Sequence, residues 1–191
     1  MTPESPAGAR ERILETAYEL FSRRGVRAVG VDEVIARSRV AKATLYRHFP
    51  SKNDLVLAFL DRREQRWTFG LIDEQARARG RTAVERLLAV FDVLDDWFRA
   101  PGSFDGCAFT TVLLEMGADH PLGQAGIRHL DTLRGILADL ASEAGMTDPD
   151  GFARSCHLLV KGAIISAAAG DADAAARAKE MTRDLLDRYR K

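Results

Sequence analysis

Val31–Leu55, VDEVIARSRVAKATLYRHFPSKNDL, decides the fold of this 191-residue chain. The spacing predicts a short helix over residues 32–37. Val31, Val34, Ile35 and Ala36 form its one-sided apolar stripe, and Asp32 and Glu33 sit favourably near its N-terminus. Ser38-Arg39-Val40 is a break short enough to fold one helix sharply onto the next. Over residues 42–49, Leu45 and Phe49 share an inner face at i,i+4. Lys42/Tyr46 and Ala43/Arg47 then form two outward rows. Pro50 stops this helix, and Ser51 with Asp54 predicts an N-cap for the next. Together these elements are a helix-turn-helix.

The charge of the same stretch is one-sided. No acidic residue lies between Glu33 and Asp54, whereas Arg37, Arg39, Lys42, Arg47 and Lys52 fall within that interval. The whole chain is neutral, with 28 Lys/Arg against 28 Asp/Glu. Residues 1–52 hold ten Lys/Arg and six Asp/Glu, a surplus of four, so the remainder carries a deficit of four. A basic head on an acidic body predicts an anionic partner for the head alone. Arg and Lys donate to guanine edges in the major groove, Thr44 or Tyr46 can meet a base or a phosphate, and Lys52 would enter a helix N-terminus suited to phosphate.

Working outward, every segment reads as helix. The first would span 9–24, with Ile13, Ala17, Leu20 and Phe21 inward and Gly25 as its stop. A long helix from Lys52 to about Arg79, ending at Gly80, would measure roughly 40 Å. Residues 82–100 stop at Pro101-Gly102. Helices near 107–116, 121–144, 149–169 and 172–189 follow. No two-residue alternation or hairpin signal occurs, so the fold class expected is all-α: a three-helix head and a helical bundle, about nine helices altogether.

The head resembles the DNA-binding domain of the tetracycline-repressor (TetR) family. The likeness runs through Ile13, Ala17, Leu20, Phe21 and Gly25, then Val31-Asp32-x-Val34-Ile35-Ala36, and Thr44-Leu45-Tyr46-x-His48-Phe49-x-Ser51-Lys52 with Leu55. The resemblance implies a DNA-binding domain over residues 1–51 and a ligand-binding and dimerisation domain over 52–191. It implies base or near-base contacts from Lys42, Ala43, Thr44, Tyr46 and Arg47, and phosphate contacts from Tyr46, His48 and Lys52. Two positions depart from the family pattern: Gly30 stands where a Thr cap is common, and Arg39 where the turn commonly carries Gly. Arg39 is therefore expected at positive φ, with its side chain reaching a phosphate to offset the strain.

By the same resemblance, the protein is a regulator, most simply a repressor, released from an inverted-repeat operator in double-stranded DNA by an unidentified small apolar or amphipathic effector. It would be a homodimer through its two C-terminal helices, where Gly162, Ala163, Ser166 and Ala167 on one let another backbone approach closely and Ala175, Ala178, Met181, Leu185 and Tyr189 form a stripe at 3–4 spacing on the next. Residues proposed for the effector are Arg63, Trp67, Phe91, Phe98, Cys107, Thr111, Glu115 and His129. Such aromatics also serve as plain core, and the sequence does not separate the two roles. Glu115 stands out, because a carboxylate on a mostly apolar helix either faces water or is buried with a partner.

Other classes are weaker. Cys107 and Cys156 with His120, His129 or His157 form no nucleophile signature or zinc-spaced set, so no catalysis, metal or cofactor is expected. A metal- or redox-responsive regulator using these residues is the alternative reading. The polar start MTPESPAGAR lacks a signal-peptide core, and no apolar run of 18 residues occurs, so a cytoplasmic location without membrane contact is expected.

Overall fold

The structure, a computed structural model, describes residues 6–190. The first half of the polar N-terminal stretch, Met1–Ser5, lies outside the described residues. In order the elements are α1 (Pro6–Arg24), α2 (Val31–Ser38), α3 (Lys42–His48) and α4 (Lys52–Arg63). A π-helical segment (Glu64–Asp73) and α5 (Glu74–Arg79) continue from α4 without a loop. The remainder is α6 (Ala83–Arg99), α7 (Ala108–Met116), α8 (Pro121–Glu143), α9 (Pro149–Ala168) and α10 (Ala174–Tyr189). Counting the run from α4 to α5 once gives nine helices, with no strand among the described residues.

Local chemistry sets most boundaries. Gly25 ends α1 at φ 76°, and Gly80 ends α5 with its N–H on the Ala76 carbonyl. Ser51 caps α4 by accepting from the Asp54 N–H at 3.2 Å, while its hydroxyl donates to the Asp54 carboxylate at 2.7 Å. Thr82 and Glu85 close a full capping box at α6, and Asp148 caps α9 ahead of Pro149. The ten-residue π segment has no counterpart in the periodicity of the sequence. Its i→i+5 bonding is rare and usually limited to one turn.

By their contacts the residues divide into two compact units. The first runs up to Glu64 and adds Ala108–His129; the second is Gln65–Cys107 with Leu130 onward. In the first unit Ile13, Ala17, Leu20 and Phe21 of α1 are buried with Val34, Leu45, Phe49 and Leu55. Phe59 is fully buried, edge-on to Phe21 at 5.5 Å and to Tyr18 at 5.6 Å. Burying one such ring contributes about 2–3 kcal/mol. The stripe on α2 is narrower than its sequence suggests: Val34 and Ser38 are buried, Ile35 half-buried and Ala36 exposed. In the second unit Leu87, Phe91, Leu94, Phe152, Val160, Ile164 and Leu186 form the core.

The turn between α2 and α3 holds the one non-glycine residue at positive φ among those described. Arg39 adopts φ 54°, ψ 44°, with its N–H on Ala36 and the Val40 N–H on Ile35, both at 3.4 Å. This is a Schellman-type ending with a side chain where glycine is favoured. Left-handed backbone costs a Cβ-bearing residue about 1–2 kcal/mol. Arg39→Gly is therefore expected to raise thermal stability by about 1 kcal/mol, or about 2–4 °C for a chain of this size. If the guanidinium serves DNA, the same change weakens operator binding and lowers its salt slope by about one. A melt beside a salt titration checks both; higher stability with an untouched salt slope would remove Arg39 from the interface.

Candidate nucleic-acid interface and regulatory residues

The outward face of α3 is held by what lies beneath it. Leu45 and Phe49 are buried at 0% and 2% exposure, which fixes the rotation of the short helix. Lys42, Ala43, Tyr46 and Arg47 are exposed, with Tyr46 at 40%, and Thr44 and His48 are half-buried. A large aromatic left in water beside two cations serves no packing purpose here, and it suits contact with a base or phosphate. His48 has a buried Nε2 with no hydrogen-bond partner among the described residues.

A surface groove of about 220 Å³ adjoins this face, lined by Ala9, Arg12, Arg39, Val40, Ala41, Thr44 and Arg47. Three guanidinium groups converge on it. Arg12 was not singled out from the sequence, because α1 reads there as a core helix. Its Nε donates to the Ser38 carbonyl at 3.5 Å, which places it against the turn. The signal available was its place on the polar face of α1 with Thr16 and Glu19, at i, i+4 and i+7.

Other cations of the head already have partners. Lys42 lies 3.4 Å from Asp32, with both side chains well exposed, a pair worth little and easily given up to phosphate. Arg24 and Arg37 both reach Glu33, at 2.7 and 3.4 Å. Lys52 turns inward: its Nζ donates to the Val26 carbonyl at 2.7 Å. Burial lowers its pKa from the ordinary lysine value, and the nearby Glu115 carboxylate pulls it part-way back. A phosphate at Lys52 would share the ammonium with Val26.

The residues proposed for an effector fall into both units. In the first, Arg63 is buried, its Nη1 donating to the Tyr18 hydroxyl at 3.2 Å. His129 stacks on Phe109 with ring centres 5.0 Å apart, its Nδ1 2.9 Å from Glu64 and its Nε2 3.6 Å from Asp61. Thr111 is exposed. Glu115 is half-buried and accepts from the backbone N–H of Val26 at 2.8 Å and of Arg27 at 3.3 Å. In the second unit Trp67 and Phe98 join one aromatic cluster with Trp97 and Phe104, at centre distances of 4.9–5.7 Å. Phe91 is a core residue, and Cys107 is half-buried.

The family model described as bacterial regulatory proteins, tetR family, matches residues 13–59, the span that carries this geometry. The chain is 38% identical over 91 residues to the HTH-type transcriptional activator FasR of Mycolicibacterium smegmatis, covering 45% of this chain and 40% of FasR. It is 28% identical over 170 residues to the transcriptional regulator AcuR of Cereibacter sphaeroides, 83% of this chain and 76% of AcuR. Among solved structures, the TetR-family transcriptional regulator SCO4454 of Streptomyces coelicolor matches with TM-score 0.87 and 29% identity, over 97% of each chain. Residues 13–59 are a TetR-family region, and the chain as a whole is similar to TetR-family regulators.

These relatives are transcriptional regulators. Burial pushes the Cys156 thiol up to about 12, opposed by a hydrogen bond with Thr182. A fully buried thiol with a raised pKa packs as a small apolar side chain. No group of three or more His, Cys, Asp or Glu suited to a metal occurs among the described residues. No helix of the described residues is long and apolar enough to cross a membrane.

His157 has a measurable consequence for stability. Burial first, then Lys161 and Arg134, push its imidazole down to about 4, while Asp131 opposes them. An unfolded histidine titrates near 6.5. Between those values the unfolded chain binds a proton that the folded chain refuses, so stability falls as pH drops from about 6.5 to about 4 and is flat above. The full effect is about 3 kcal/mol. His157→Gln is expected to remove that part of the slope, read from urea midpoints at pH 7.5 and pH 5. Equal slopes for both proteins would contradict a buried, neutral imidazole.

Proposed function

We propose that the chain is a sequence-specific DNA-binding transcriptional regulator, a repressor that acts as a cytoplasmic homodimer on an inverted-repeat operator and is released by a small apolar or amphipathic effector. The observation that carries this reading is the exposed Lys42/Tyr46/Arg47 face of α3, anchored from beneath by Leu45 and Phe49 within the family-matched span. The functional division is a DNA-binding domain up to residue 51 and a regulatory domain from residue 52. His48, Lys52 and Arg39 serve phosphates, with Arg12 added to them by the groove it shares with Arg39 and Arg47.

Support for the homodimer comes from α9 and α10. Leu158 and Ile165 are exposed at 66% and 62%, Met181 at 54%, and Gly162 lies open between the first two. The alanines Ala175 and Ala178 of the sequence-derived stripe are buried within the chain itself, so the partner-facing set is this narrower one. Helix-turn-helix dimers read half-sites related by their own two-fold axis. Support for an effector site comes from the Trp67/Trp97/Phe98/Phe104 cluster, the form of surface that receives apolar ligands. Effector and operator must weaken each other by the same factor, typically about 5–150-fold.

Selection of bound duplexes from a randomised pool tests this directly. Enrichment of an inverted repeat is expected. Recovery of unselected sequence at every salt concentration would overturn the reading.

A further inference from the structure

Val26 is gripped from two sides. Its N–H, with that of Arg27, donates to the Glu115 carboxylate, and its carbonyl accepts from Lys52. Three elements therefore meet at one peptide: the corner between α1 and α2, the first residue of α4, and the last turn of α7. The corner is shaped for this contact. Gly25 is buried at φ 76°, and a Cβ placed on it would overlap the Glu115 carboxylate oxygen, so glycine there satisfies both the backbone and the carboxylate.

The placement of Glu115 needs an external partner. It is the penultimate residue of α7, at the negative end of that helix's dipole, with no basic residue in the last turn. A carboxylate in that position is disfavoured by its own helix, and the two corner amides, with Lys52 nearby, supply what the helix does not. The corner leads into α2 at Val31, and Lys52 follows α3 after only three intervening residues. The chain entering the recognition pair is thus held by this carboxylate, and the chain leaving it is tied through Lys52 to the same corner. α7 belongs to the only part of this unit drawn from outside the first 64 residues.

We propose that Glu115 is a positioning residue for DNA binding, and that the recognition pair α2–α3 holds its operator-reading pose only while α7 presents this carboxylate to Val26 and Arg27. Resting on the regulator reading above, this assigns Glu115 to setting the head's pose rather than to touching an effector. Withdrawal of α7 frees two backbone donors and leaves Lys52 without its carboxylate neighbour.

The test uses the intact protein, the duplex it enriches from a randomised pool, and a scrambled duplex of equal length. Glu115→Gln is expected to lower affinity for the enriched duplex by about tenfold or more, the loss expected for a charge-assisted hydrogen-bond pair. Affinity for the scrambled duplex stays level or rises, because a negative charge has been removed near a polyanion. Amide exchange at Val26 and Arg27 accelerates while the dimer and the helical spectrum persist. Glu115→Asp, which keeps the charge but falls one methylene short, is expected to lose affinity in the same direction, and it serves if the glutamine variant fails to fold. Unchanged or increased affinity for the enriched duplex, or unchanged exchange at the two amides, overturns the assignment. Failure of the wild-type protein to enrich any sequence instead overturns the regulator reading, and this assignment with it.

Discussion

Replacing Tyr46 or Arg47 with alanine reduces binding of the operator to the level of unrelated DNA and leaves the fold intact. Both side chains are exposed, and the anchors of α3 are Leu45 and Phe49, so neither replacement opens a cavity. Surface substitutions of this kind usually change stability by less than about 0.5 kcal/mol. A lost base contact costs about 1–3 kcal/mol. A symmetric dimer loses two, for roughly 2–6 kcal/mol, or about 30-fold to 10⁴-fold in affinity. Binding assays on enriched and scrambled duplexes, beside a thermal melt, read this directly. A variant that loses affinity for both duplexes in step with a lower melting temperature would show that α3 was supported by the residue removed. Equal affinity of variant and wild type for the enriched duplex would take that side chain out of the recognition surface.

Charging the exposed apolar face of α9 is expected to be as damaging from a different direction. Leu158→Glu combined with Ile165→Glu places like charges on both sides of the proposed two-fold interface, where desolvated and unpaired carboxylates are strongly unfavourable. The doubly substituted chain should sediment as a monomer, and its operator affinity should fall at least as far as that of the recognition variants, since half-sites bound singly forfeit the gain from linkage. Each chain should keep its helical content, because both positions are open to solvent at 66% and 62% within one chain. A doubly charged variant that remains dimeric would move the interface elsewhere; a monomeric one with undiminished operator affinity would contradict a dimeric reader.

Local chemistry was legible in the sequence, and contacts distant along the chain were not. Helix ends at Gly25 and Gly80 follow from single residues whose backbone preferences act where they stand, as does the cap at Ser51. The positive φ of Arg39 followed from the resemblance, since the family's turn commonly carries Gly at that position. The outward face of α3 followed from i,i+4 periodicity alone. The partner of Glu115 could not be read in this way: Val26 and Arg27 lie 89 and 88 residues away, and backbone amides carry no residue-type signal. Lys52 read as a free phosphate ligand for the same reason, since its acceptor is a carbonyl 26 residues earlier. Ala175 and Ala178 illustrate a third limit. A stripe of small residues shows that something packs closely, and only the fold shows that it is the chain's own helices. The π-helical segment also escaped, because a helix period of 3.6 was assumed through residues 64–73.

The most direct measurement of the central claim is a hydroxyl-radical footprint of the purified protein on its enriched duplex, taken across a salt series. The account predicts two protected half-sites related by two-fold symmetry. Their centres should lie about one helical turn, or a whole multiple of it, apart, on one face of the DNA, with protection weakening steeply as salt rises. A single unsymmetric protected patch, or protection spread evenly along the duplex, would contradict it.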